Sequence, residues 1–481
     1  MSFNLVKIEV YVPEKFVKPL IKSLNEIGQC KIGDYDNCAS ITNVLGYWRP
    51  LYGANSIIIY FKYSLKIKEI EKMKAYERLI KYAKIYTTSD PTSETIPSTK
   101  RQFDLANILV EEMKEIGIQD ARVDETCYVY GVIPATPGYE DKYSIGFIAH
   151  MDTSSAASDE NIKTAVVEYR GGDILLNKEQ NIYMKTSDYP YLDKYVGDHL
   201  IVTDGTTLLG ADDKAGIAEI FTMLEKLIAS GEEHGTIKVG ITPDEEVGRG
   251  ADYFDVEKFA ADYAYTVDGG ALGELEYENF NASGAIVTVH GVSIHPGSAK
   301  NKMKNAVTMA MEFNALLPAL EVPERTEGYE GFHNLYKMSA ETELATMHYI
   351  IRDHDKNKIE EKKQQFLKAA EEMDRIYGKG TVEVSLRDSY FNMKEVIEKH
   401  MYIIDRAKKA MADVGITPNI VPIRGGTDGA RLSFKGLPCP NLCTGGENFH
   451  SRFEFVSVEA MEKITELLVQ IVKNSVSEGR A

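Results

Sequence analysis

Five residues of metal-binding type stand at, or just past, the ends of apolar segments: His150, Asp212, Glu246, Asp268 and His450. The clearest context is the acidic tip Pro243-Asp-Glu-Glu-Val-Gly248, which follows the β-branched run 236–242. That run reads as a strand entering a core, and Pro243 ends it. Three carboxylates therefore sit where a buried strand gives way to a loop, the place where open α/β sheets bind ligands. Taken alone the tip reads as a solvated acidic turn, because adjacent carboxylates repel unless they are paired or metal-bound. The pattern recurs, however. His150-Met-Asp152 follows the apolar run 143–149, and Asp212-Asp-Lys214 opens a helix after 200–203. Asp268-Gly-Gly270 follows 263–267, and Gly445-Gly-Glu-Asn-Phe-His450 follows a short strand around Leu442.

Imidazole and carboxylate together suit Zn²⁺, Co²⁺ or Mn²⁺. Two neighbouring metals need about two protein ligands each plus one shared carboxylate, and these five residues supply that number. Such a pair binds hydroxide and polarises a carbonyl, and a further carboxylate must then carry the proton from water to the leaving amine. Glu245, beside a ligand and directed elsewhere, fits that task. Asp152, two residues from His150, is placed to orient the imidazole. Arg424 lies in the Gly-rich loop Ile423-Arg-Gly-Gly-Thr-Asp-Gly429. There a planar fork of donors can clamp a peptide carboxylate or form a structural salt bridge.

The elements that must position these groups alternate between helix and strand. Residues 76–85, 100–116 and 215–230 read as helices between the apolar strands 128–133, 143–149, 200–203, 236–242 and 263–267. This pattern predicts a mostly parallel, doubly wound α/β sheet over 76–280, resumed over 393–481. Between them, 281–392 reads as an inserted α+β module with strands at 284–291, 348–352 and 382–386 and helices at 305–317 and 356–377. The strand segment 286–290 is expected to offer a free edge to a second subunit. Residues 1–62 read as a small α+β domain, with strands at 6–12 and 56–61 around a helix at 16–27, and 63–75 as a linker.

The chain has 481 residues and a net charge of −18, which argues against nucleic-acid binding. No run approaches a membrane span and no signal peptide is evident. The five cysteines form an odd, scattered set that suits a reducing cytoplasm. Cys439 and Cys443 read as buried thiols.

The motifs His150-Met-Asp-Thr153, Thr206-Thr-Leu-Leu-Gly-Ala-Asp-Asp-Lys-Ala-Gly216, Pro243-Asp-Glu-Glu-Val-Gly248, Thr326-Glu-Gly-Tyr-Glu-Gly-Phe332, Met347-His-Tyr-Ile-Ile-Arg-Asp353, Ile423-Arg-Gly-Gly-Thr-Asp-Gly429 and Pro438-Cys-Pro-Asn-Leu442 resemble those of the M20 metallopeptidase family, specifically its tripeptide aminopeptidases. The resemblance runs from Lys74 to Ser477. It implies a di-zinc aminopeptidase, with cobalt or manganese as alternatives, acting on small peptides. It makes Asp212 the bridging carboxylate, with His150 and Asp268 completing one metal and Glu246 and His450 the other. Glu245 becomes the general base and Asp152 the orienting acid. It also implies a homodimer through the inserted module, from which His295 reaches the partner's site and stabilises the oxyanion. A dipeptidase or an acyl-amino-acid hydrolase shares these ligands, so substrate length stays open. Residues 1–62 are similar to the PII-like or CutA-like domain of YqfO-type proteins in the NGG-interacting-factor family. The carrying residues are Lys7-Ile-Glu-Val-Tyr-Val-Pro-Glu14, Gly33-Asp-Tyr-Asp-Asn-Cys38 and Trp48-Arg-Pro-Leu-Tyr-Gly-Ala-Asn55. A metal-dependent sensor built on that domain is the alternative from another class.

Overall fold

The computed structural model describes residues 73–477, together with the two-residue strands Ile8–Glu9 and Lys62–Tyr63, which pair antiparallel. The rest of 1–72, including the expected helix 16–27, the strand 56–61, the linker, Cys30 and Cys38, lies outside the described residues. The chain forms two compact units, Met1–Lys72 and Met73–Ala481. The second unit carries every candidate site residue.

The main sheet of this unit has eight strands. Ile145–His150 is at the centre, with Ile237–Thr242 on one side and Tyr263–Gly269 on the other, both parallel to it. Asn441–Cys443 adds a fourth parallel strand beside Tyr263–Gly269. Every residue of Ile145–His150 is buried, as expected for a strand covered on both faces. Helices Ala75–Ala83, Gln102–Glu115, Ala211–Ser230, Tyr402–Asp413 and Val458–Val476 contribute to one hydrophobic cluster with this sheet. Tyr128, Tyr130, Ile148, Phe254 and Phe259 belong to another. The expected strand at 128–133 is Val129–Ile133, which runs antiparallel to Ile237–Thr242, so the sheet is mixed at that edge.

The expected strand at 200–203 forms as His199–Thr203, but outside the main sheet. It joins an antiparallel sheet with Thr164–Glu168, Phe455–Ser457 and Gly446–Glu447. Asp212 therefore reaches the main sheet through the helix that follows and not from one of its strand ends. Gly216 permits this approach. A Cβ there would lie 1.9 Å from the carbonyl oxygen of Val267, so only glycine lets the helix settle on the strand that carries Asp268.

Residues 281–390 build a separate four-stranded antiparallel sheet in the order Phe332–Ala340, Leu344–Asp353, Asn281–His290, Val382–Tyr390. Helices Ala306–Leu316 and Lys356–Tyr377 pack on one face around Val287, Phe313, Met347 and Phe366. The expectation of a free edge at 286–290 is wrong: Asn281–His290 is hydrogen-bonded on both sides. The unexpected strand Phe332–Ala340 and the outer strand Val382–Tyr390 hold the edges. Asparagines tie together the two connections to this sheet. Asn279 N–H donates to Asn392 Oδ1 at 3.1 Å, Asn392 N–H to Asn281 Oδ1 at 3.0 Å, and Met393 N–H to Asn279 Oδ1 at 2.7 Å. Among the described residues no helix is long and apolar enough to cross a membrane.

Candidate metal centre

The parallel strands deliver their C-terminal ends to one place. His150 ends the central strand and pairs in register with Thr242. The turn after Thr242 carries Glu245 and Glu246, and Asp268 lies near the end of Tyr263–Gly269. His450 stands in the loop of the hairpin formed by Gly446–Glu447 and Phe455–Ser457.

Two groups of donor atoms result, and they share one residue. His150, Asp212 and Asp268 form the first, and Asp212, Glu246 and His450 the second, with the donor atoms in each within 4.8 Å of one another. In the first, His150 Nε2 lies 2.9 Å from Asp212 Oδ1 and 3.5 Å from Asp268 Oδ1. In the second, His450 Nε2 lies 3.1 Å from Asp212 Oδ2 and 3.0 Å from Glu246 Oε2. Ligands about 2.0–2.1 Å from a tetrahedral ion stand about 3.3 Å apart, so both groups match the donor spacing around one ion each. A further observation fits a cation: Glu246 Oε1 is buried without a hydrogen-bond partner among the described residues.

The electrostatics agree. Burial opposes charge on His150, yet Asp268, Asp152 and Asp212 outweigh it and raise the imidazole well above its ordinary value. Hydrogen bonds donated to Asp212 and Glu246 push His450 up to about 11. Burial, then Asp212, pushes Glu246 up to about 7. Burial also raises Asp268, and raises Glu245 well above its ordinary value, with Asp268, Asp428 and Glu246 adding to the latter. This is a concentration of negative charge that an interior tolerates with bound cations.

Backbone contacts fix the ligands. The Asp152 carbonyl can only accept, so at 3.0 Å it takes the Nδ1 proton of His150 and turns Nε2 toward the cluster. Asp152 thus orients His150 mainly through its main chain, its own Oδ1 standing 3.5 Å from Nδ1. That carboxylate instead accepts the N–H groups of Glu245 at 3.0 Å and Glu246 at 3.2 Å. Asp244, the third acid of the tip, is a clamp: it adopts a left-handed φ of 58° and accepts from Ser98 N–H at 2.7 Å and Gln102 Nε2 at 2.8 Å. Asp213 accepts from His150 N–H at 3.1 Å and Gly216 N–H at 3.2 Å, tying the helix start to the central strand.

A family model for Peptidase family M20/M25/M40 matches residues 204–474. Peptidase T of Alkaliphilus oremlandii is 56% identical over 400 residues, which is 82% of this chain and 98% of that protein. Peptidase T of Caldanaerobacter subterraneus is 53% identical over 402 residues, 83% and 98% of the two chains. The chain belongs to peptidase family M20/M25/M40. Its fold is similar to that of aminopeptidase PepT from Bacillus cereus, with a TM-score of 0.66 at 24% identity over 85% of this chain and 99% of the other. A tripeptidase from Staphylococcus aureus gives a TM-score of 0.67 at 21% identity over 85% and 99%.

The other two candidate residues lie elsewhere in the second unit. His295 is exposed and belongs to neither donor group. Its Nδ1 accepts the Gly297 N–H at 3.1 Å, which puts the ring proton on Nε2. Arg424 is engaged by the loop 326–330. Its Nη1 donates to the carbonyls of Gly328 at 2.8 Å and Glu330 at 2.9 Å, and its Nη2 to Thr326 Oγ1 at 3.0 Å. The guanidinium also stacks over Phe280 and Phe332. Sequence reasoning missed the supporting carboxylates Asp213, Asp244, Asp428 and Glu454. Asp428 accepts from Thr242 Oγ1 at 2.7 Å directly beneath the acidic turn. Its signal was present in the Gly-rich loop 423–429, four residues beyond Arg424.

Proposed function

We propose that this chain is a dinuclear metallo-aminopeptidase that releases the N-terminal residue of tripeptides. The observation that carries the reading is the shared carboxylate: Asp212 faces His150 with one oxygen and His450 with the other. Relatives named Peptidase T at 56% and 53% identity support the substrate class.

His150, Asp212 and Asp268 would hold one divalent cation and Asp212, Glu246 and His450 the second. Mixed imidazole and carboxylate donors favour zinc, with cobalt or manganese as substitutes. Such ions, when bound, supply Lewis acidity at the scissile carbonyl and lower the pKa of a coordinated water.

The chain's own groups do the rest. Glu245, outside both donor groups, accepts the proton of the attacking water and returns it to the leaving amine. Asp152 holds His150 and the Glu245–Glu246 backbone in register. The Nε2–H of His295, from a second subunit of a homodimer, donates to the developing oxyanion. Arg424 serves substrate binding by holding the loop 326–330 against Phe280 and Phe332.

The test is a panel of di-, tri- and tetrapeptides and acyl-amino acids, assayed after chelation and after addition of Zn²⁺, Co²⁺ or Mn²⁺. Metal-dependent release of the first residue from tripeptides is expected. Preference for dipeptides or acyl-amino acids would replace the substrate assignment, and chelator-resistant activity would remove the metals from the reaction.

A further inference from the structure

Asp212 must present its two oxygens to two different donor groups, so its main chain has to be held closely. The helix that follows does not hold it. Within Ala211–Ser230, Asp212 and Asp213 have non-helical dihedrals, with ψ of 103° and 33°, so the regular helix begins after them. The main-chain N–H of Asp212 belongs to the first turn, where N–H groups have no acceptor within the helix.

A single buried side chain does so. Glu454, 1% exposed, accepts three main-chain N–H groups: Leu209 at 2.8 Å and Gly210 at 2.9 Å on Oε2, and Asp212 at 3.0 Å on Oε1. These three bonds hold one turn of main chain on one side chain. Glu454 also belongs to the hairpin that carries His450, just before its returning strand Phe455–Ser457. One carboxylate therefore joins the turn of Asp212 to the hairpin of His450, and the two ligands meet where those segments face each other.

We infer that Glu454 is the positioning residue that sets the second metal group, by fixing the Asp212 turn against the His450 hairpin. It touches neither substrate nor metal and acts through Asp212. The inference rests on the dinuclear reading of the site. Glutamine at this position keeps the shape, but its amide NH₂ must face at least one of the three N–H donors. The turn then loses a partner and gains a repulsion. Loss of an outer partner of this kind costs about 10- to 100-fold in metal affinity.

The experiment uses the full chain, stripped by chelator and titrated with Co²⁺, read by calorimetry and by the visible absorption of bound cobalt. The wild-type chain is measured first and is expected to bind two equivalents. Fewer than two would overturn the dinuclear centre itself, and the inference with it, before any variant is made. With two bound, Glu454→Gln should weaken one of the two sites about 10- to 100-fold and the other, which shares Asp212 but keeps His150 and Asp268, by a smaller factor; an equal loss at both overturns the inference. Melting of the metal-free protein is recorded alongside, because a merely structural role would lower it and leave both affinities unchanged; that outcome overturns the inference. If Glu454→Gln does not fold, Glu454→Asp keeps the charge and shortens the reach. It should show the same selective loss at one site, and two wild-type affinities in it are equally fatal.

Discussion

Asp212 Oδ2 stands 3.1 Å from His450 Nε2, although 238 positions separate the two residues in the chain. The other oxygen of the same carboxylate is 2.9 Å from His150 Nε2. A residue placed in this way serves both groups, so its removal damages both. Asp212→Ala is expected to bind at most one metal equivalent per chain by elemental analysis, and to lose the thermal protection that added Zn²⁺ gives the wild type. Retention of two equivalents would rule out a shared ligand.

Glu245 separates chemistry from binding. It lies outside both donor groups, and its main-chain N–H is anchored on Asp152. Glutamine preserves its shape and cannot take a proton. Glu245→Gln should keep full metal content and lose about 10²- to 10⁴-fold in kcat. Near-wild-type turnover at full metal content would assign the proton transfer to another group.

The ligands were legible in the sequence because each follows a short apolar run, and a parallel sheet gathers the ends of such runs on one side. His150, Glu246 and Asp268 obey that rule directly. Asp212 does not: its preceding strand His199–Thr203 belongs to another sheet, and it arrives through the Gly216 contact with Val267. The position of 281–290 between two other strands was not legible. The missing neighbour, Phe332–Ala340, is largely exposed over its second half and shows little alternation. The clamps Asp213, Asp244 and Glu454 were hidden for a different reason. Most of their partners are main-chain N–H groups, which leave no mark on residue type, and Gln102, a side-chain partner of Asp244, lies 142 positions away.

Arg424 gives a prediction in which two roles diverge. Both of its terminal nitrogens are engaged with 326–330. Arg424→Ala should raise KM and, at the same time, speed amide hydrogen exchange within 326–330. Arg424→Lys should not restore protection, since an ammonium cannot make the forked contact. A raised KM with unchanged exchange in the loop would mean that the guanidinium binds the peptide directly.

Beneath the helix that carries Asp212, Arg78 Nε donates to Glu112 Oε1 at 2.7 Å and its Nη2 to Glu225 Oε2 at 2.8 Å, while Lys81 Nζ reaches Glu112 Oε2 at 2.5 Å. Burial raises the Glu112 carboxyl, but the hydrogen bonds and charges of Lys81 and Arg78 outweigh it and hold the group below its ordinary value. The unfolded chain therefore takes up this proton first as pH falls, near the ordinary value of about 4.3. The stabilisation is complete above that pH and is lost as pH drops through the lower folded value. Glu112→Gln leaves Arg78 short of a partner, costs about 3–5 kcal/mol at pH 7, and should flatten the fall of melting temperature with acid. An unchanged acid slope in the variant would show that other carboxylates control this limb.

His295 carries the last prediction. Its Nδ1 is occupied by the Gly297 N–H at 3.1 Å, so Nε2 bears a proton and is a ready donor. It is exposed, and it belongs to the segment between the strand Asn281–His290 and the helix Ala306–Leu316. With Asn281–His290 paired on both sides, an edge-to-edge two-fold pairing of this sheet has to use Phe332–Ala340 or Val382–Tyr390. If the donor acts across that contact, His295→Ala should lower kcat by about 10²- to 10³-fold, as loss of one oxyanion donor does, with metal content unchanged. Complementation decides whether the donor comes from the partner. Mixed His295→Ala and Glu245→Gln chains form hybrids in which one of two sites combines an intact Glu245 with an intact His295. Activity should return in proportion to the hybrid fraction measured by mass. Verified hybrids with no recovered activity would exclude His295 as a donor between subunits.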